Sequence, residues 1–235
     1  MPQTIAKGGI MNRKLLILGV IVLVAILLGG SWWLAQRPLS GKIQTCQNIP
    51  LLTTSTKKLP AYAGNGQPRD MHKQLQKLVG DWKVEKQLYM IAGTSKKPII
   101  SKDITTHREW IAGTGNRFMI DVTEGTLGGQ PYYRQGTLGY SIMDGRYEWN
   151  TIDALNTNMM TYKGVRCSDT TPDGEISMSG EFTDQGLLGD NDIGKTLKQR
   201  TVIKIESYNR HVFELYFTPP EEAERLVDRT VYTRQ

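Results

Sequence analysis

Hydrophobic and polar positions divide the chain into three stretches. In the first, Leu15–Ala35, there is no periodicity: its 21 residues carry no charge, and 13 of them are Leu, Ile or Val. As a helix rising about 1.5 Å per residue it would cover roughly 30 Å, which matches the hydrocarbon thickness of a bilayer. The second, residues 36–69, shows neither a period of 2 nor one of 3.6. It is marked by Pro38, Pro50, Pro60, Pro68, a Thr-Thr-Ser-Thr run and Gly-Asn-Gly, and reads as a flexible tether. The third, residues 70–235, opens on an i, i+4, i+7, i+8 stripe of Met71, Leu75, Leu78 and Val79, with His72, Lys73, Gln74, Gln76 and Lys77 facing away. This predicts a short helix from an N-cap at Asp70 through Val79, too short to stand alone and therefore docked across one end of a larger β structure.

After Gly80-Asp-Trp82 the period changes to two. Strand-like runs are expected near Trp82–Met90, Ile104–Trp110, Arg117–Glu124, Tyr132–Tyr140 and Arg146–Asp153, then near Asn158–Lys163, Ile176–Phe182, Lys198–Glu206, His211–Phe217 and Val227–Thr233. Glycine-bearing turns separate them, with Asp144-Gly145 and Asp173-Gly174 the strongest hairpin signals. About ten short antiparallel strands with no second helical domain predict an all-β fold, a closed up-and-down barrel, because closure removes exposed edges. A strand opening on Gly-x-Trp is how many such barrels begin.

The apolar stretch has an insertion free energy of about −5 kcal/mol at roughly −0.4 kcal/mol per aliphatic residue. It is longer than the apolar core of a signal peptide, and no clear Ala-x-Ala cleavage site follows it. It is therefore read as an uncleaved transmembrane signal anchor, with residues 1–14 as a short cytoplasmic N-terminus. Lys7, Arg13, Lys14 and the amino terminus precede it, against Arg37 and Lys42 after it, which places the N-terminus in the cytoplasm and the barrel domain in the periplasm or outside the cell.

Charge adds one exclusion. The net charge of +6 comes from the leader: eight basic and no acidic residues precede Asp70, while 21 basic and 23 acidic residues follow. The folded region is slightly acidic, so no nucleic-acid footprint is indicated. The two cysteines, Cys46 and Cys167, permit one bridge; the expectation is two unpaired thiols, one exposed and one buried. His72, His107 and His211 are scattered and no C-x-x-C occurs, so no metal site is expected.

The order of His72-x-x-Leu75, Leu78-Val79-Gly80-Asp81-Trp82, Gly129-Gln130-Pro131 and Gly139-Tyr140, then Arg200-Thr-Val-Ile203, His211-Val-Phe-Glu-Leu-Tyr216 and Val231-Tyr232-Thr-Arg234 resembles the exported bacterial domain-of-unknown-function family 1579. The resemblance covers roughly residues 70–234. It implies a lipocalin- or nitrobindin-like barrel of the calycin type and no established activity. The loop Gly186–Lys195 departs somewhat from it.

Candidate chemistry is sparse. Trp82 is expected to seal the barrel floor, with Arg234 or Arg229 stacked on its ring. On a strand, His211, Phe213, Leu215 and Phe217 share one face and Val212, Glu214 and Tyr216 the other. If the first face lines the lumen, His211 lies at its mouth, placed to ligate a haem iron. If the second does, Glu214 and Tyr216 anchor a ligand, with Arg200 or Arg117 as partner to the buried carboxylate. Sequence leaves both parities open. His107 and Glu109 share a face that reads as solvated. No nucleophile elbow, P-loop or dinucleotide fingerprint occurs, and Asp190-Asn-Asp192-Ile-Gly194 lacks the spaced ligands of a calcium loop. No catalytic residue is nominated, and a binding protein is favoured over an enzyme.

The leading expectation is a membrane-anchored barrel that holds a small, mainly apolar ligand in its lumen without a cofactor. Two alternatives are a haem-type protein using His211 or His107, and an envelope interaction module with a side-chain-filled barrel. A cavity smaller than roughly 300 Å³ would favour the last.

Overall fold

The computed structural model describes residues 66–168 and 174–235, together with Ala63. A helix α1 (Asp70–Gln76) leads into β1 (Gly80–Leu88), and a four-residue turn α2 (Met90–Gly93) precedes β2 (Ile99–Trp110). There follow β3 (Phe118–Leu127), β4 (Gln130–Ser141), β5 (Arg146–Asp153), β6 (Met160–Lys163), β7 (Glu175–Thr183), β8 (Thr196–Ser207), β9 (Arg210–Thr218) and β10 (Arg225–Arg234). Each strand pairs antiparallel with its sequence neighbours, and β1 pairs with β10 to close the barrel. All ten expected strands are present. Among the described residues no helix is long and apolar enough to cross a membrane; the stretch 15–35 lies outside them.

Because the topology is strictly sequential, each strand's direction assigns its ends. Trp82 pairs with Arg234 and Leu88 with Asp228. Odd-numbered strands therefore run from the end nearest α1, called here the floor, to the opposite end, called the mouth. Inward positions follow period 2: Trp82, Val84 and Lys86 on β1, and Tyr132, Arg134, Gly136 and Leu138 on β4 are buried. A bulge in β10 between Leu226 and Asp228, against β9, turns both Val227 and Asp228 into the interior.

The larger core fills the floor half, from Leu75 and Leu78 through Trp82, Ile104, Met119 and Tyr147 to Trp149 and Phe213. A second cluster, Ala92, Phe182, Leu197, Phe217 and Val227, lies toward the mouth. Gly80 shows why the first strand opens on glycine. Its φ is +129°, and a Cβ there would stand 2.3 Å from Arg234 Nη1.

Several expectations are corrected. Asp70 is the first helical residue, not the N-cap; Arg69 holds that position, and its backbone N–H donates to His72 Nδ1 (3.1 Å). The helix ends at Gln76, before Val79. His72 is buried, its ring edge-on to Tyr140, because His72, Leu75 and Leu78 form the i, i+3 row that meets the barrel. Cys167 is bonded in a disulfide and exposed in the β6–β7 connection, where unpaired thiols and a buried Cys167 were expected. The sequence's other cysteine, Cys46, lies outside the described residues, as do Asp173 and the expected membrane anchor at 15–35.

Candidate functional site

The barrel interior has three levels. At the floor, Trp82 is fully buried and its Nε1–H donates to Leu78 O (2.9 Å). The Arg234 guanidinium lies 4.2 Å from the Trp82 ring and 4.1 Å from that of Tyr208. It donates from Nη1 to Val79 O (2.7 Å) and from Nη2 to Lys77 O (2.9 Å). One side chain thus fastens the last strand, the first strand and the carbonyls at the end of α1. Arg229 has no part in this; it points outward, 3.5 Å from Glu214.

Above the floor runs a buried polar layer. His211 stacks on Tyr232 at 4.3 Å and meets the Trp82 ring edge-on at 4.3 Å. Its Nε2 accepts from Arg108 Nη1 (2.5 Å). Arg108 Nε donates to Asp121 (2.8 Å), and Arg134 Nη2 donates to the same carboxylate (3.1 Å) and to Tyr232 OH (3.4 Å). One level higher, the buried Lys86 is bonded to Asp228, whose other oxygen accepts from Thr230. Desolvation and the Arg108 and Arg234 charges hold the His211 imidazole well below its ordinary range, so it is neutral. Asp121 is pushed up by burial, but the two arginines outweigh this and keep it ionised.

A pH dependence results. The unfolded His211 takes up a proton near the ordinary histidine value of 6.5, whereas the folded one resists it. The unfolded state therefore binds more protons below that point, and stability falls as pH drops, by up to about 1.4 kcal/mol per pH unit for one such group. His72, lowered chiefly by burial, acts in the same direction. The denaturation midpoint of the wild type should fall between about pH 7 and pH 5, and His211→Gln should flatten that slope. Identical slopes for the two proteins would exclude His211 as the cause.

The third level is a cavity of about 290 Å³ that opens at the mouth. Its walls are Leu88, Phe182, Phe213, Leu215, Phe217 and Val227, and its base is Lys86, Tyr132, Arg134, Trp149, Tyr162 and Asp228. Asp153 lies nearer the mouth, accepting from Leu155 N–H (2.8 Å). Met90, Ile91, Leu155 and Leu187 line the rim and are also exposed to solvent. Ile91 and Ala92 both have left-handed backbone (φ 53° and 47°), a conformation that non-glycine residues rarely adopt and that Ala92's burial among Phe217 and Val227 sustains. At about 290 Å³ the volume falls just under the usual ligand-site range, so size by itself favours a filled barrel, and the case for a binding site rests on the lining and the open mouth.

The structure resolves the parity of β9. Phe213, Leu215 and Phe217 line the cavity, so His211 faces inward on the same side. It lies at the floor, not the mouth, because β9 begins there. Glu214 and Tyr216 are on the outer wall: Glu214 accepts from Lys204 Nζ and from Tyr216 OH, both at 2.7 Å. Arg200 pairs with Glu224 and stacks on Tyr216, again outside. Arg117 lies at the floor end, bonded to Gly66 O and to Thr114 O, remote from Glu214. His107 is exposed and bonded to Asp81 (2.6 Å). The haem reading does not fit this arrangement: His211 Nε2 is engaged by Arg108, its ring is enclosed by Trp82 and Tyr232, and it does not line the cavity. Among the described residues no cluster of three or more metal-ligating side chains occurs.

The lumen-facing charged residues Lys86, Arg108, Asp121, Arg134 and Asp228 were not nominated from sequence. Their signal is phase: each falls on the same period-2 register as buried neighbours, as in Trp82-x-Val84-x-Lys86 and Met119-x-Asp121-x-Thr123.

Fold and interior together define a closed ten-strand up-and-down barrel with a polar-based cavity open at one end. The chain belongs to the family of proteins of unknown function DUF1579, which it matches over residues 67–234. No curated protein matches it. Among solved structures it is similar to a redesigned β-barrel at 13% identity, covering 71% of this chain and 99% of that one with a TM-score of 0.36. It is also similar to the S-type phycobiliprotein lyase CPES from Guillardia theta at 8% identity, covering 75% and 98% with a TM-score of 0.45.

Proposed function

We propose that this protein is a membrane-anchored binding protein whose barrel, held outside the cytoplasm by residues 15–35, takes a small, mainly apolar molecule into its lumen. The observation that carries the reading is the cavity itself: apolar walls rising from a small polar base to an open, apolar-rimmed mouth. Ligand sites commonly combine these features, a mostly hydrophobic lining with few placed polar groups. The anchor rests on the uncharged 21-residue stretch and the basic residues before it.

Native mass spectrometry of the full-length chain, extracted from its own cells in mild detergent, tests the ligand. A reproducible added mass of a few hundred daltons is expected, lost on denaturation. Repeatedly ligand-free protein that also takes up no apolar probe would refute the reading. For the anchor, the chain should stay in the membrane pellet after alkaline extraction; release into the supernatant would count against it.

A further inference from the structure

The base of the cavity offers more hydrogen-bond donors than acceptors. Arg134 is 6% exposed and Trp149 3%. Among the described residues, Arg134 Nε and Trp149 Nε1 are buried without a partner, and both residues line the cavity. The hydrogen bonds of Arg134 to Asp121, Thr123 and Tyr232 all leave from Nη2. Nη2 is thus engaged several times over, while Nε has no partner. Buried donors normally find partners, because an unmade bond there carries the full desolvation cost.

The charges point the same way. Fully buried in the barrel are three cations, Lys86, Arg108 and Arg134, against two carboxylates, Asp121 and Asp228, with His211 neutral. Both carboxylates are engaged, Asp121 by the two arginines and Asp228 by Lys86 and Thr230. Asp153 stands toward the mouth and is bonded to its own loop. The base therefore has one positive charge in surplus. With both base carboxylates already engaged, an ammonium ligand would meet cations there rather than a free anion, and a dianionic phosphate would exceed the available charge in a space this small.

We infer that the ligand is an amphiphile with a single carboxylate, seated against the unpaired Arg134 Nε and Trp149 Nε1 with Lys86 beside them. Its apolar body extends past Leu215 and Phe217 toward the mouth. The two unpaired N–H donors can each serve one carboxylate oxygen, and charge-assisted bonds of this kind are stronger than neutral ones. At about 30 Å³ per water-sized unit the cavity holds on the order of ten of them, which suits a medium-length chain. This inference rests on the proposed lumen-binding function and specifies its chemistry.

The test uses full-length protein in lipid nanodiscs, with empty nanodiscs as background. It compares [1-¹³C]decanoate, decanol and decylamine by carboxyl ¹³C NMR and calorimetry. Decanoate should bind about tenfold or more tightly than decanol, and its bound carboxyl should stay ionised below its free pKa. Trp149→Phe, which keeps an aromatic ring and removes the N–H, should lower the decanoate-to-decanol ratio several-fold. Arg134→Met should abolish the preference; if that variant does not fold, Trp149→Phe and the NMR titration still decide. Equal affinity for decanoate and decanol, unmoved by Trp149→Phe, overturns the carboxylate and leaves the apolar lumen standing. Preference for decylamine also overturns it. Binding of none of the three overturns both proposals.

Discussion

Asp121→Ala is expected to destabilise the barrel by about 3–5 kcal/mol, the cost of breaking a buried ion pair by deleting one partner. Asp121 is 2% exposed and receives a hydrogen bond from each of two buried guanidiniums, Arg108 Nε at 2.8 Å and Arg134 Nη2 at 3.1 Å. Without it, two buried cations are left without a counter-charge, with Tyr232 and the neutral His211 against Arg108, and Trp149 and Phe213 beside Arg134. Against a total stability of about 5–15 kcal/mol for a domain, such a loss is most of what holds it folded. Urea or thermal denaturation followed by circular dichroism measures it. Replacing Arg108, Asp121 and Arg134 together by apolar residues of similar volume should recover much of the loss, since buried charges are costly even when paired. A loss below about 1 kcal/mol for Asp121→Ala would mean that water reaches the arginines and the layer is not dry. The same carboxylate has a pH signature. Its folded pKa lies below the ordinary value of 3.8, so its contribution is complete above that value and disappears as pH falls through the folded pKa.

A paired but costly polar layer in the middle of a barrel is poor material for stability alone. Apolar side chains at positions 86, 108, 121, 134 and 228 would fill the lumen at lower desolvation cost. Charged residues at these positions are what the proposed lumen ligand would require, and the orphaned donors of Arg134 and Trp149 mark where it would sit.

How much of this was legible in the sequence depended on the range of the interaction. Strand existence is set by local alternation and turns, and all ten strands appeared, with Arg146–Asp153 at its expected bounds. Trp82 and Arg234 could be paired because a closed up-and-down barrel must bring its first and last strands together. The parity of β9 was invisible locally, because Val212, Glu214 and Phe213 are all withdrawn from solvent and alternation there is weak. Glu214 drew attention as an acid within an apolar run, yet Lys204 and Tyr216 satisfy it on the outer wall. His72 misled because, in a helix of seven residues, the docked face is chosen by the barrel rather than by the helix's own stripe. The cavity base could not be assembled from local pattern at all. Lys86 meets Asp228 across 142 positions of sequence, and a bulge in β10 helps to set that meeting.

Trp82→Ala should cost about 3–5 kcal/mol, the range for deleting a fully buried tryptophan. The indole contributes more than volume. Its N–H donates to Leu78 O, its face carries the Arg234 guanidinium at 4.2 Å, and its edge holds the His211 ring at 4.3 Å. Removal empties the space between α1 and the polar layer and leaves Arg234 with Tyr208 as its one aromatic neighbour. The cavity term adds to the lost transfer free energy because Arg234, still bonded to Val79 O and Lys77 O, holds the surrounding backbone apart. Trp82→Phe separates the contributions: it keeps most of the packing, loses the hydrogen bond to Leu78 O, and should cost about 1–3 kcal/mol for that unsatisfied buried acceptor. Hydrogen exchange provides a local readout. The amides of Leu78 and Val79, which close on Leu75 and Gln76, should lose protection in Trp82→Ala before the β3–β4 ladder does. If Trp82→Ala unfolds within about 1 kcal/mol of the wild type and α1 keeps its protection, the floor is held by Arg234 and the helix's own apolar row, and the indole is filler.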